Sequence, residues 1–249
     1  MQAKLRRIKP KKGVSHALHL VLTFLLPVLV YVMVRINFAE LALVLILLSK
    51  WRMFAVKPRH WPASIRANAI DLIVGVSVLI FMMQSGAQIW QIFWALAYGV
   101  WLLVIKPASG VLAVSAQSLI GQFAGLTALF LRFGGSQTVV LIICSWGICY
   151  LAARHFFASF DEPLTRLFSY LWGYFAAALV WILSHWLLFY GPIAQPAILI
   201  NVSGFGLASL YYLEETDRLS KYFQRQIVFI MIAVIVILIA FSGWSGKTL

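Results

Sequence analysis

The side chains able to do chemistry are few in this chain, and their spacing builds no catalytic set. Cys144 and Cys149 share one apolar segment, with no disulfide partner and no zinc ligands nearby. His16 and His19 open the first apolar segment, whereas His185 closes the seventh. They lie at opposite depths, so they do not suggest two axial ligands for one haem. Asp71 and Glu40 each follow an arginine by five residues, Arg66 and Arg35, and are expected to pair with it. The two acids fall on opposite sides of the membrane and cannot act as an acid–base pair. Glu214-Glu215-Thr216-Asp217-Arg218 lies in a loop, and the only helix after it contains no histidine. P-loop, His-Glu-x-x-His and Gly-x-Ser-x-Gly motifs are absent. No catalytic residue, metal site or cofactor is therefore expected.

What remains is polar side chains at helical spacing inside apolar segments. Gln117, Gly121 and Gly125 recur every four residues and share one helix face, with Ser118 and Gln122 beside them. Asn201 and Ser203 sit in a similar segment with Gln195, Gly204 and Gly206, opened by Pro192 and Pro196. Two readings stand. Small residues four apart let helices approach closely, and glutamine or serine hydrogen-bonds across the seam. Alternatively, such a face lines a polar pathway, and an interrupted helix exposes backbone groups to a solute.

The elements that must position these residues are membrane helices. Of 249 residues, 63% are hydrophobic and 11% charged, against about 25% charged in a soluble domain. The apolar excess exceeds what one soluble core can bury, so much of it must face lipid. The run Leu18–Val34 leads into Arg35-Ile36-Asn37 without a small-residue cleavage pattern, and reads as an uncleaved first helix. Nine spans follow from the hydropathy: Val14–Val34, Phe38–Phe54, Ala67–Met83, Gln88–Ile105, Ala108–Leu131, Gln137–Ala153, Leu164–Tyr190, Ile193–Leu213 and Gln226–Trp244. Turn chemistry separates them, as at Lys106-Pro107 and Glu162-Pro163. Short alternating strands, which a β-barrel needs, are absent.

The net charge of +13 does not point to nucleic acid, because the bases cluster beside apolar segments. With the N-terminus inside and nine spans, seventeen of the 20 basic residues lie inside; only Arg35, Arg132 and Lys247 lie outside. If the fifth segment did not cross, the split would fall to 14 against 6. The positive-inside rule thus favours a crossing fifth helix and an external C-terminus. The segment from 50 to 66 interleaves Lys50, Arg52, Lys57, Arg59 and Arg66 with Trp51, Phe54 and Trp61. This is the composition of an interfacial stretch contacting anionic lipids of the cytoplasmic leaflet.

The expected fold is an all-α polytopic transmembrane helix bundle, N-in and C-out. It comprises a basic cytoplasmic segment (1–13), one helical domain (14–244) and a short external tail (245–249). A diverged parallel repeat is read after the first helix, helices two to five matching six to nine. Arg59-His60-Trp61-Pro62-Ala63-Ser64 compares with Arg154-His155-Phe156-Phe157-Ala158-Ser159, and Gly86-Ala87-Gln88 with Ile193-Ala194-Gln195. The compact, loop-poor chain suggests a prokaryotic plasma (inner) membrane. Three functions follow: a small permease for a neutral or lipid-like solute, since no buried charge is expected; a non-catalytic scaffold or assembly subunit with protein partners in the membrane; and an intramembrane enzyme acting on lipid, which lacks an acid–base pair. The expected partner common to all three is the lipid bilayer.

Overall fold

The computed structural model describes residues 14–53, 55, 57–160, 162–184, 189–190 and 193–241; residues 14–20, 52, 189 and 190 are described by backbone alone. The basic segment 1–13, the tail 245–249 and His185 lie outside the described residues, as do the side chains of His16, His19 and Arg52.

Nine α-helices follow in order among these residues: α1 Val14–Arg35, α2 Ala39–Leu48, α3 Trp61–Gln84, α4 Gln88–Val100, α5 Val111–Phe133, α6 Thr138–Phe157, α7 Thr165–Leu183, α8 Gln195–Glu215 and α9 Lys221–Phe241. A two-residue hairpin, β1 Phe189–Tyr190 with β2 Ile193–Ala194, joins α7 to α8. Helices dominate because a chain this apolar must satisfy its backbone internally wherever it meets lipid. The seven from α3 to α9 are long and apolar enough to cross a membrane, α4 only together with the turn at 101–105 that continues it. The fifth segment is among them, a continuous helix of 23 residues despite its glutamines and serines.

Several boundaries differ from the sequence reading. Helix α7 ends at Leu183 rather than Tyr190, which pairs in the hairpin, and α9 starts at Lys221 rather than Gln226. The second helix stops at Leu48 rather than running to Phe54. At ten residues it is about 15 Å long, half the thickness of a hydrocarbon core. Its apolar run ends at Ser49-Lys50, where the lysine turns inward to an acid on α3. The third helix begins six residues early, at Trp61, with Pro62 in its first turn, where the missing N–H costs no hydrogen bond. Tight turns at Asn37 (φ 61°) and Asp217 (φ 54°) close the α1–α2 and α8–α9 connections. Asparagine and aspartate tolerate this left-handed conformation better than other side chains.

The core has two main parts. Val30, Ile46, Val74, Met82 and Tyr98 bind α1 to α4 together. Leu126, Phe130, Leu141, Cys149, Val180 and Ile200 do the same for α5 to α8. The seam between them is α5 against α3. A methyl group added at Gly121 would stand 2.8 Å from Ile70, and one at Gly125 2.7 Å from Ile73 and 3.0 Å from Ile148. The four-residue glycine spacing therefore serves close approach of helices. The stretches paired by the repeat take different shapes: His60 ends a short 3-10 turn and is exposed, whereas His155 is half-buried within α6. Helix α9 rests mainly on α8, and little of it is buried.

The α3–α5 seam yields a stability prediction. Gly125→Leu should lower stability by about 1–3 kcal/mol through overpacking. Gly147→Leu on α6, where an added carbon meets nothing within 4 Å, should cost far less. Thermal unfolding of both variants in a neutral detergent measures the difference.

Candidate functional site

Three polar centres are built into the bundle. The first surrounds Asp71, the eleventh residue of α3, whose side chain is only 7% exposed. Its carboxylate accepts Lys50 Nζ from just beyond α2 and Lys106 Nζ from just beyond α4. Trp101 Nε1 donates to its other oxygen at 2.9 Å. Two of these donors depend on an unusual local geometry. Residues 101–105 form a π-helical turn, with Lys106 N–H donating to the Trp101 carbonyl at 2.8 Å. In an α-helix, side chains five apart diverge by about 140°. In an i→i+5 turn they stand nearly one above the other, so Trp101 and Lys106 both reach Asp71.

This arrangement corrects two expectations. Asp71 pairs with Lys50 and Lys106, not with Arg66, which is exposed. Five residues along an α-helix point Arg66 away from Asp71, whereas distant elements bring lysines to it. Glu40 likewise makes no ion pair with Arg35; both are exposed. The bundle also contains the buried charge that the sequence reading excluded, since Lys50 and Asp71 are both buried. The cluster holds two ammonium groups for one carboxylate.

The second centre is a clamp made by Gln117. Its amide nitrogen donates to the carbonyls of Ile105 (2.7 Å) and Ala108 (2.9 Å), and its oxygen lies 3.1 Å from His155 Nε2. A helix end leaves carbonyls without intrahelical partners, and here α5 supplies the missing donor. Gln117 thus ties α4, α5 and α6 at one level.

The third centre joins α5, α7 and α8. Gln122, fully buried, donates to Asn201 Oδ1 at 3.3 Å and accepts from Trp172 Nε1 at 3.0 Å. Asn201 donates in turn to the Ala197 carbonyl at 2.6 Å. Gly204 makes room for Trp172, since an added carbon there would lie 2.5 Å from the indole. Asn201 also lines a groove of about 570 Å³ between α5, α8 and α9. Its other walls include Ile120, Phe123, Phe205 and Ile230, and its surface is overwhelmingly apolar.

The candidate face of α5 therefore divides. Gln117 looks to the α4 end, Gly121 and Gly125 to α3, and Gln122 to α8. Ser118 and Ser203 bond the carbonyls of Val114 and Leu199 on their own helices. The structure brings Gln122 and Asn201 together and leaves Ser203 apart from them. Helix α8 runs without interruption through Gly204 and Gly206, so the broken-helix reading is not met. Of the basic loop residues, Lys57, Arg59 and Arg66 are exposed and Lys50 is sequestered against Asp71. Sequence reasoning missed Lys106, Trp101, Trp172 and His155. It also missed buried Glu162, which accepts from Tyr211 Oη at 2.8 Å. A lysine ending an apolar segment reads as an orientation signal, and the expected pairing of Asp71 with Arg66 left no cue to the role of Lys106. Among the described residues, no group of three histidine, cysteine or acidic side chains could hold a metal ion. No protein-family model, curated protein or solved structure matches the chain.

Asp71→Ala leaves the buried Lys50 ammonium without its counter-charge and should cost about 3–5 kcal/mol. Adding Lys50→Met to that variant should restore much of the loss, because an apolar side chain of similar length replaces the stranded charge. Denaturant titration of the two variants in micelles checks both statements.

Proposed function

We propose that this protein is a small permease-type membrane protein that handles a neutral, lipid-like solute in the groove between α5, α8 and α9. The observation that carries this reading is Asn201. It stands with Ser209 as a polar side chain on the wall of a largely apolar groove, and is held from behind by Gln122, which Trp172 braces in turn. A polar group inside an apolar bundle is costly, and favours a solute with one polar handle and an apolar body. Among the described residues no charged side chain lines the groove, which suits a neutral solute. Helix α9 forms one wall while resting mainly on α8, so its displacement would open the groove sideways to lipid.

In this reading the chain is N-in and C-out with nine crossings, in a prokaryotic plasma membrane. The support is the distribution of basic residues rather than any contact within the bundle. Helix α2, too short alone, would complete its crossing with the segment that follows it. The scaffold reading has one observation in its favour. Helix α9 exposes most of its apolar surface, including Phe229, Ile232 and Val236, and a membrane partner could cover it.

Reconstitution separates the two. Proteoliposomes carrying nitrobenzoxadiazole-labelled phosphatidylcholine, a lipid of zero net charge, are treated with dithionite, which bleaches only the outer leaflet. Transport predicts bleaching well beyond the half seen in protein-free vesicles. Val202→Trp, which fills the groove, should bring it back towards that half. Bleaching no greater than in protein-free vesicles would sink the lipid-permease reading and favour the scaffold.

A further inference from the structure

A second recess, separate from the α5–α8–α9 groove, lies on the other side of the bundle. It measures about 800 Å³ and is bounded by α1, α2, α3 and the end of α4. Its lining combines two chemistries. Leu22, Leu26 and Leu29 of α1 with Leu45 and Leu48 of α2 supply apolar surface. Lys50, Lys106, Ser64 and Asn68 supply polar and charged groups. Lys106 is the accessible member of the charged cluster, with its side chain 38% exposed against 8% for Lys50.

Charge balance is the first argument. Among the described residues Asp71 is the one carboxylate paired with the two lysines, which leaves the cluster one net positive charge. The neighbouring described polar groups, Trp101 Nε1, Thr23, Ser49, Ser64 and Asn68, are neutral. Depth is the second. Asp71 stands thirteen residues before Gln84, the far end of α3, about 20 Å at 1.5 Å per residue. In a hydrocarbon core about 30 Å thick, the cluster sits about 10 Å short of the opposite face. An uncompensated charge recessed there is expensive unless a counter-ion reaches it. A soluble anion would satisfy the lysines and leave the leucine surface unused. An uncharged lipid would do the reverse.

We infer that the recess binds a single-chain anionic amphiphile, with its carboxylate or phosphate head on Lys106 and Lys50 and its chain along the leucines of α1 and α2. The head enters from the side where α2 and α4 end, which the distribution of basic residues assigns to the cytoplasm. The lysines recognise the anion and α1 supplies most of the chain-binding wall. The proposal does not depend on transport through the other groove.

The test uses the full chain in phosphatidylcholine nanodiscs and a diazirine-bearing oleate as the probe, with labelled residues mapped by mass spectrometry. Labelling should fall on Leu22, Leu26 or Leu48, and unlabelled oleate or dodecyl phosphate should compete it away. Lys106→Gln, which leaves the Lys50–Asp71 pair in place, should weaken binding on the order of tenfold, the value of one charge-assisted contact. Leu26→Trp, which fills the apolar part of the recess and keeps both lysines, should abolish labelling. Three results would overturn the inference. Oleyl alcohol competing as well as oleate would reduce the recess to an apolar crevice. Acetate or inorganic phosphate competing as well as oleate would make it a site for small anions. Undiminished binding by folded Lys106→Gln would remove the lysine from recognition. The comparison of oleate, oleyl alcohol and phosphate needs only the natural protein, so it decides even if a variant fails to fold.

Discussion

The first half of the bundle is organised by one buried carboxylate. Asp71 receives a lysine from just beyond α2, and from the π turn that follows α4 both a lysine and an indole N–H. A charge in an apolar interior is tolerable only when paired and hydrogen-bonded, so both elements must terminate where α3 holds its acid. Several local features then follow. Helix α2 stops after ten residues because Lys50 has to turn inward. Helix α4 winds into a π turn because Trp101 and Lys106 must face one target. Helix α3 continues ten residues beyond Asp71 towards its own start, past the ends of its neighbours. The recess lies beneath that overhang, between those short ends and α1.

The second half is held differently. The centre between α5, α7 and α8 is neutral, the amides of Gln122 and Asn201 with the Trp172 indole, while buried Glu162 is bonded separately to Tyr211. Neutral pairs cost less to bury than ions, and their contacts tolerate an adjoining groove without stranding a charge. Helix α5 joins the two regimes. Within three turns it offers Gln117 to the end of α4, glycines to the flanks of Ile70 and Ile73, and Gln122 to Asn201. Its polar content serves a helix that meets neighbours on several sides.

How much of this was legible depends on sequence separation. The apolar segments and the close-packing stripe are local patterns, and Gly121 and Gly125 sit where the four-residue spacing places them. The pairing of Gln122 with Asn201 spans 79 positions, yet the search for polar groups in apolar helices found both partners. That method works because such residues are conspicuous against their background. It failed for Asp71. Its partners come from 21, 30 and 35 positions away, and both lysines stand at segment ends, where bases ordinarily report orientation. Trp172 was hidden for a similar reason: tryptophans are numerous here, and one that donates a buried hydrogen bond looks like one in an interface belt.

The two polar centres also differ in what their neighbours can do. Around Asp71 the elements are locked, because moving α2 or α4 would separate an ion pair in low dielectric, where its attraction is strongest. Around Asn201 the fixed side is α5, α7 and α8, while the opposite wall is α9, which presses Met231 against Gly206 and shares no hydrogen-bonded side-chain pair with α5 among those resolved for the described residues. Dispersion contacts with α8 can be exchanged for contacts with lipid at little cost, since lipid tails are as apolar as leucine. A rigid ionic half and a half with one exchangeable wall therefore coexist on one scaffold, joined at α5. Motion in the bundle should concentrate at α9, on the side away from the charges, where opening strands no polar group.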